Sequence, residues 1–569
     1  MSKNTNHRDR GIEIVGQAGG GLAPVGRRRF LQLGIGGAAV AAGSTALAGS
    51  GLGGAISSLL AVDKAAAATT DTLVISTATA ITSFDPNTIA GLGGQTAWQL
   101  CYDTFFDIST PPSLPAAEAD LAHFKPIPAL VKSYTSSANG LVWRFELQPK
   151  AVSLAGNPLT SADVLWSMKR HLALQIYGGI FLNMIGVTSA SQFVADGDHA
   201  VTMTLTKVID PSYMLQLIGA LIVPIYDSVE VLKHATTSDP WAKTWMANNV
   251  AGFGPYSIKS WNPNGTQTVF EARSNYYGKS VIPNVIWSVE PDTSTQLELL
   301  LKGDAQVTDQ LSPEQIQTVA AHKGTKVTQV ATAGAAFMGF NNSQAPYSDK
   351  ALHQGIAYAI DFETIVKGVW KGTAQTMKSI LPPWFQASTD KYWVYEQNLA
   401  KAKALLAPYA NAGLTLQYDA GIDLHQSLAE LIQAGLQAAG MTIKLGGLST
   451  TQYENQENNG TQSWWLDTQS VPVIPNSLYA LRLLFLSKPT QILLHYSNPA
   501  VDAAVTALGE TQSVARQNAM IDAAQKQIME DLPVIPLAYT GQSVTSVSNL
   551  SGFRGHGGNS IRASELYFS

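Results

Sequence analysis

Leu141-Val142-Trp143-Arg144-Phe145-Glu146-Leu147, a turn through Gly156-Asn157-Pro158, and then Thr160-Ser161-Ala162-Asp163 ahead of Val164 to Leu174 decide the fold class. Trp143, Phe145 and Leu147 alternate with Arg144 and Glu146, the period of a strand with one buried face. Gly-Asn-Pro ends that strand with turn chemistry. Thr160 and Asp163 have the capping-box form: a hydroxyl at the N-cap, and a carboxylate three positions on that can reach back to the N-cap amide. A strand, a turn and a capped helix in direct succession predict a mixed α/β chain.

The same succession extends in both directions. Thr72-Leu73-Val74-Ile75-Ser76 is a short β-branched run that predicts a buried strand, broken by the turn Ser83-Phe84-Asp85-Pro86-Asn87. A helix is expected over Gln95 to Phe106. Gly254-Pro255-Tyr256 is a turn feeding another strand. Asn498-Pro499 sets a capping residue and an N1 proline before a helix over Ala500 to Leu508. With 569 residues and 45% of them hydrophobic, the chain is long enough for two lobes, each with its own core. The uncharged run Tyr213 to Tyr226 is too short to span a bilayer and contains Pro224, so it is expected to be buried core.

Composition excludes several classes of function. A net charge of -5, with no basic stripe beyond the extreme N-terminus, argues against a nucleic-acid partner. The single cysteine, Cys101, permits neither an internal disulfide nor a cysteine-rich metal site. The ten histidines form no pair at metal-binding helical spacing, and His353, His425 and His495 are expected to be structural or surface side chains. No His-Glu-x-x-His, Gly-x-Ser-x-Gly or phosphate-binding glycine loop occurs in the mature region, so no catalytic residue, metal or cofactor is expected.

The N-terminus carries an address. Arg27-Arg28-Arg29-Phe30-Leu31 is followed by an apolar stretch rich in Ala and Gly, with no charge before Asp63, and then by the small-residue run Ala65-Ala66-Ala67-Ala68. This resembles a twin-arginine signal peptide, which would place the arginine pair at Arg27 and Arg28 and the apolar pair at Phe30 and Leu31. The glycine content makes a poor membrane span, and no cysteine follows the apolar stretch to take a lipid. Cleavage near residue 68 is therefore expected to release a soluble periplasmic protein.

Four ordered segments resemble the peptide/nickel family (family 5) of solute-binding proteins of ABC importers. They are Trp143 through Arg170; Gly252-Phe253-Gly254-Pro255-Tyr256 with Trp261 and Arg273-Ser274-Asn275-Tyr276-Tyr277; Phe340-Asn341-Asn342 with Ala357-Tyr358-Ala359-Ile360-Asp361; and Asn498 to Asp502 with Asp531 to Leu537. The resemblance implies a two-lobed periplasmic-binding-protein clamshell. A leader would occupy 1–68, lobe I 69–335 including an extra subdomain, lobe II 336–537, and a return to lobe I 538–569. It implies a monomer that captures a small solute between the lobes and delivers it to the permease subunits of the importer. The alternatives are a sensing or chaperone-type binding module of the same fold and an extracytoplasmic hydrolase.

The resemblance also places the solute. Trp464-Trp465-Leu466-Asp467 matches the family segment in which an aspartate meets the ammonium of bound peptides, and a carboxylate in a desolvated cleft needs a cation. Trp464, Trp465, Trp384, Phe84 and Asn341 complete the expected ligand-binding set. The arginine with which peptide binders commonly hold the ligand carboxylate is missing, because no arginine occurs between Ser274 and Leu481. Lys371, Lys378 or an arginine reaching across from the first lobe are the available substitutes. The expected solute is therefore peptide-like, amine-bearing or sugar-like, with no strictly required free carboxylate.

Overall fold

Strand Val142–Leu147 buries Trp143, Phe145 and Leu147 and leaves Arg144 and Glu146 half-buried, as the alternation predicts. It lies within an antiparallel four-stranded sheet ordered Val131–Ser136, Val142–Leu147, Ala200–Thr204, Phe193–Ala195. The helix that follows runs Ser161–Leu174. One oxygen of the Asp163 carboxylate accepts the Thr160 amide at 2.8 Å, and the other accepts the Ser228 amide and hydroxyl at 2.8 and 2.7 Å. A single side chain thereby caps this helix and pins it to Ser228, the first residue of the helix Ser228–Leu232. Farther along, Arg170 is wholly buried and meets both oxygens of Asp85 at 2.8 and 2.7 Å. The neighbouring His171 holds Pro224 O at 2.9 Å through Nε2.

The computed structural model describes residues 71–88, 92–108, 126–263, 265–280, 282–308, 310–330, 332, 334–470, 473–487, 494–555 and 561–569. Arg27, Arg28, Phe30 and Leu31 lie outside them. Among the described residues no helix is long and apolar enough to cross a membrane. The helix expected over 95–106 runs Leu92–Cys101, and Phe106–Asp107 is instead a short strand. Its early end has a cause distant in sequence: the Cys101 carbonyl accepts the Gly254 amide at 3.1 Å, and a β-carbon at Gly254 would lie 2.4 Å from the Cys101 carbonyl carbon. The Gly-Pro-Tyr turn is packed against the point where the helix stops.

Two large sheets organise the rest. A seven-stranded sheet is ordered Thr325–Val330, Gln542–Val547, Val307–Thr308, Thr72–Thr77, Asn284–Val289, Gln267–Ala272, Tyr256–Trp261, with Thr72–Thr77 parallel to both of its neighbours. A six-stranded sheet is ordered Gln375–Thr376, Val534–Tyr539, Ala335–Phe340, Trp464–Ser470, Thr415–Asp419, Lys444–Leu448. Ala335–Phe340 and Val534–Tyr539 are buried at every position, so this second sheet is covered on both faces at its centre. The chain passes between the sheets after Val330 and again after Tyr539. These two passages lie side by side, the Thr540 amide donating to Gly334 O at 3.1 Å.

Each sheet anchors one lobe, and the lobes touch on both flanks. On one flank the Asp210 amide donates to Gly509 O at 3.1 Å, Phe181 meets Tyr479 edge-on at 5.9 Å, and Arg482 lies over the Tyr213 ring at 5.7 Å. On the other, Gln317 Nε2 donates to Lys371 O at 2.5 Å and Lys371 pairs with Glu314 at 3.6 Å. The two lobes, joined by these passages, make a two-lobed clamshell fold.

Candidate functional site

The strand Trp464–Ser470 carries the candidate site. Period-two geometry sends Trp464 and Leu466 to one face and Trp465 and Asp467 to the other. Trp464 goes inward and is fully buried, its ring 6.0 Å from Phe340, which in turn stacks on His353 at 4.0 Å. Trp465 lies across from Gly339, where a β-carbon would come within 2.4 Å of the indole. Asp467 is half-buried and stands opposite Phe337.

The surroundings of Asp467 are acidic. Burial pushes the Glu457 carboxyl well above the usual range, and the charges of Asp467, Glu454 and Asp419 push it the same way. Tyr453, which donates to Leu466 O at 2.5 Å, has its hydroxyl raised by burial first and then by Glu457 and Asp467. Gln462 is buried with neither amide atom hydrogen-bonded. His425 donates to or accepts from Thr468 Oγ1 at 2.7 Å and is held down to about 4 by burial. Among the described residues no group of three His, Cys, Asp or Glu side chains could hold a metal ion.

The other expected ligand residues are placed differently. Asn341 is buried at the entry to the strand: its Oδ1 accepts the Ser343 amide and hydroxyl at 3.1 and 2.7 Å, and its amide donates to Ser463 O at 2.9 Å. Trp384 sits at the passages between the sheets, its indole N–H reaching Thr332 O at 3.0 Å and Tyr539 Oη at 2.8 Å. Phe84 is in the core of the first lobe, edge-on to Trp261 at 4.9 Å. Lys371 and Lys378 are occupied by Glu314 and Glu396, at 3.6 and 3.1 Å.

Sequence reading missed a cavity of about 60 Å³ on the first lobe, where Asp103, Asp107 and Arg562 meet. Arg562 Nη1 holds Asp107 at 2.6 Å, with Glu565 at 3.7 Å, while Nη2 lies 3.6 Å from Asp103. Asp103 Oδ2 accepts the hydroxyls of Tyr276 and Tyr277 at 3.0 and 2.7 Å. Val473, just beyond the Asp467 strand, closes the cavity from the second lobe. The available signal was the arginine reaching from the first lobe, but nothing local marks Arg562 as that residue.

Residues 125–489 match the family described as bacterial extracellular solute-binding proteins, family 5 Middle. The chain belongs to this family. Among family 5 relatives, the probable D,D-dipeptide-binding periplasmic protein DdpA of Escherichia coli K12 is 25% identical over 341 residues, which are 58% of this chain and 63% of the relative. The chain thus spans less than two thirds of that relative's length. The glutathione-binding protein GsiB of Salmonella typhimurium is 24% identical over 457 residues, 75% of this chain and 87% of the relative. The periplasmic binding protein DppA of Helicobacter pylori, solved with the peptide STSA, has the same two-lobed fold, with a TM-score of 0.72 at 21% identity over 87% of this chain and 98% of that one.

Proposed function

We propose that this chain is the extracytoplasmic solute-binding component of an ABC importer, which closes two lobes on a peptide-like or other small polar solute and presents the closed form to the permease. The observation that carries this reading is the pair of sheets joined by two adjacent passages and touching on both flanks. That arrangement allows hinge closure, and a solute drives closure only by binding the closed form better. The chain up to Val330 and beyond Tyr539 makes the first lobe, and the segment between them the second. The leader 1–68 directs export by the twin-arginine route, and the mature protein works as a periplasmic monomer.

Asp467 takes the ammonium of the solute. Carboxylates clustered with Asp467 repel one another, and a cation among them relieves that repulsion with charge-assisted hydrogen bonds. Trp465, on the same face of the strand, supplies an aromatic surface beside it. The test is calorimetry with Ala-Ala amide and its N-acetylated form. The free amine is expected to bind tighter by roughly tenfold or more, the value of a hydrogen bond to a charged group, and Asp467→Asn should erase the difference. Equal binding of both peptides by the native protein removes Asp467 from the site. Failure to bind any peptide, together with mass spectra showing no co-purifying small molecule, removes the solute-binding reading.

A further inference from the structure

The cavity at Arg562 is lined by two residues that carry buried polar atoms of opposite kinds. Asp103 is 2% exposed, and the hydroxyls of Tyr276 and Tyr277 donate to its Oδ2 at 3.0 and 2.7 Å. Its Oδ1 has no hydrogen-bond partner, since Arg562 Nη2 at 3.6 Å is too far to donate. Arg562 is held at Nη1 by Asp107 at 2.6 Å, and its buried Nε–H has no hydrogen-bond partner either. Nε and Nη2 share one edge of the planar guanidinium, so the open donor lies on the side of the group that approaches the open acceptor. Each such buried atom costs stability until it is paired, and a group from outside the protein that pairs both is favoured there.

These two atoms select the ligand by their own chemistry. An ammonium has only donors, so it would satisfy Asp103 Oδ1 while pressing a positive charge on the Arg562 edge. A carboxylate has only acceptors, so it would meet Arg562 while facing another carboxylate in Asp103. A primary carboxamide is neutral, carries an acceptor and a donor side by side in one plane, and serves both atoms at once. Size decides between that group and a single hydroxyl. The cavity is about 60 Å³, well beyond the ~10–15 Å³ that one water needs, and Phe106, Ile108, Leu221 and Ile222 give it an apolar wall suited to methylene groups.

We propose that this cavity is a side-chain subsite for a primary carboxamide on a short aliphatic stem, a glutamine- or asparagine-like group of the solute, whose oxygen accepts from Arg562 Nε and whose N–H donates to Asp103 Oδ1. Both protein groups are fixed before the ligand arrives, Asp103 by two tyrosines and Arg562 by Asp107, so little order has to be imposed on binding. Val473, a lining residue from the second lobe, covers the stem, so filling the cavity favours closure. The proposal deepens the solute-binding reading and rests on it for the direction of delivery, though not for the chemistry of the cavity.

The test uses the whole protein and three matched peptides with N-methylamide ends. In calorimetry, Ala-Gln-Ala should bind at least about tenfold tighter than Ala-Met-Ala, which keeps the shape without the polar atoms, and than Ala-Glu-Ala, which replaces the donor by a charge. Asp103→Asn should invert the second comparison. The tyrosine hydroxyls retain the amide oxygen of the variant, its NH2 group takes the place of Oδ1, and a site of donors alone prefers glutamate to glutamine. Should that variant fail to fold, Val473→Trp, which fills the cavity from the second lobe, should abolish the preference for glutamine. In thermal melts, butyramide should raise the native midpoint more than butyrate or n-butylammonium does, and should lose that lead in either variant. Glutamine and methionine peptides that bind equally, as when water alone pairs the two atoms, overturn the subsite and leave the peptide reading standing. Peptides that all fail, with butyramide still in the lead, leave the subsite and remove the peptide reading. No amide preference in either assay, or a preference that survives both substitutions, overturns the proposal.

Discussion

Gly339 shows how a single missing side chain shapes the candidate site. A β-carbon there would fall within 2.4 Å of two Trp465 ring atoms, so the indole lies across the strand only because its neighbour is glycine. Gly339→Ala is expected to push the indole aside at a cost of about 1–3 kcal/mol, read by chemical denaturation together with a shift in tryptophan emission. Unchanged emission would mean that Trp465 does not depend on this contact. Adjacent tryptophans in a strand must face opposite ways, and that much is legible from Trp464-Trp465 alone. Both are buried, and which of them stacks on Phe340 and, beyond it, His353, more than a hundred positions away, is information that no local pattern carries. The Asp103 and Arg562 pair was hidden for the same reason, since its members come from opposite ends of the chain.

Elements were more legible than their junctions. Alternation along Val142–Leu147 and the capping box before Ser161–Leu174 are local, and both appear where the residues predict them. The purpose of that helix is not local. Arg170 crosses to Asp85 in the turn after the first strand, joining two elements through a pair of buried charges. Removing one partner strands the other charge away from water, so Arg170→Ala is expected to lower unfolding stability by about 3–5 kcal/mol in urea titrations. Arg170→Lys should recover little of this, because an ammonium cannot match the two-point contact with both carboxylate oxygens. Full recovery by lysine would show that charge alone, without the fork geometry, holds the turn. The helix stop at Cys101 is a junction of the same kind: nothing in residues 95–106 announces that the Gly254 amide will take the last carbonyl.

At the scale of the molecule, pH acts on folding and on closure in opposite directions. His171, His353 and His425 are each held down to about 4, chiefly by burial. The unfolded chain, with ordinary histidines, then binds more protons between about pH 4 and 6.5, so stability is complete above that window and falls as pH drops through it. The melting midpoint is expected to decline between pH 7 and 5, and a flat profile would contradict three buried neutral imidazoles. Asp210 has the reverse sign. It caps the helix Pro211–Ile218 at the contact between the lobes, and burial raises its carboxyl to about 6 despite the opposing hydrogen bonds from the Ser212 amide and from Gln517 of the second lobe. Opening the lobes returns Asp210 to water and its carboxyl toward the ordinary value. The closed form therefore binds more protons between about pH 4 and 6, and closure is favoured by acid and weakened as pH rises through 6. Among the described residues near this contact, Lys207 faces Glu510 at 3.9 Å and Arg482 lies over Tyr213. Small-angle scattering of the unliganded protein should show a smaller radius of gyration at pH 5 than at pH 7, and Asp210→Asn should remove that difference. An Asn variant that still contracts in acid would place the titrating group elsewhere on the lobe contact.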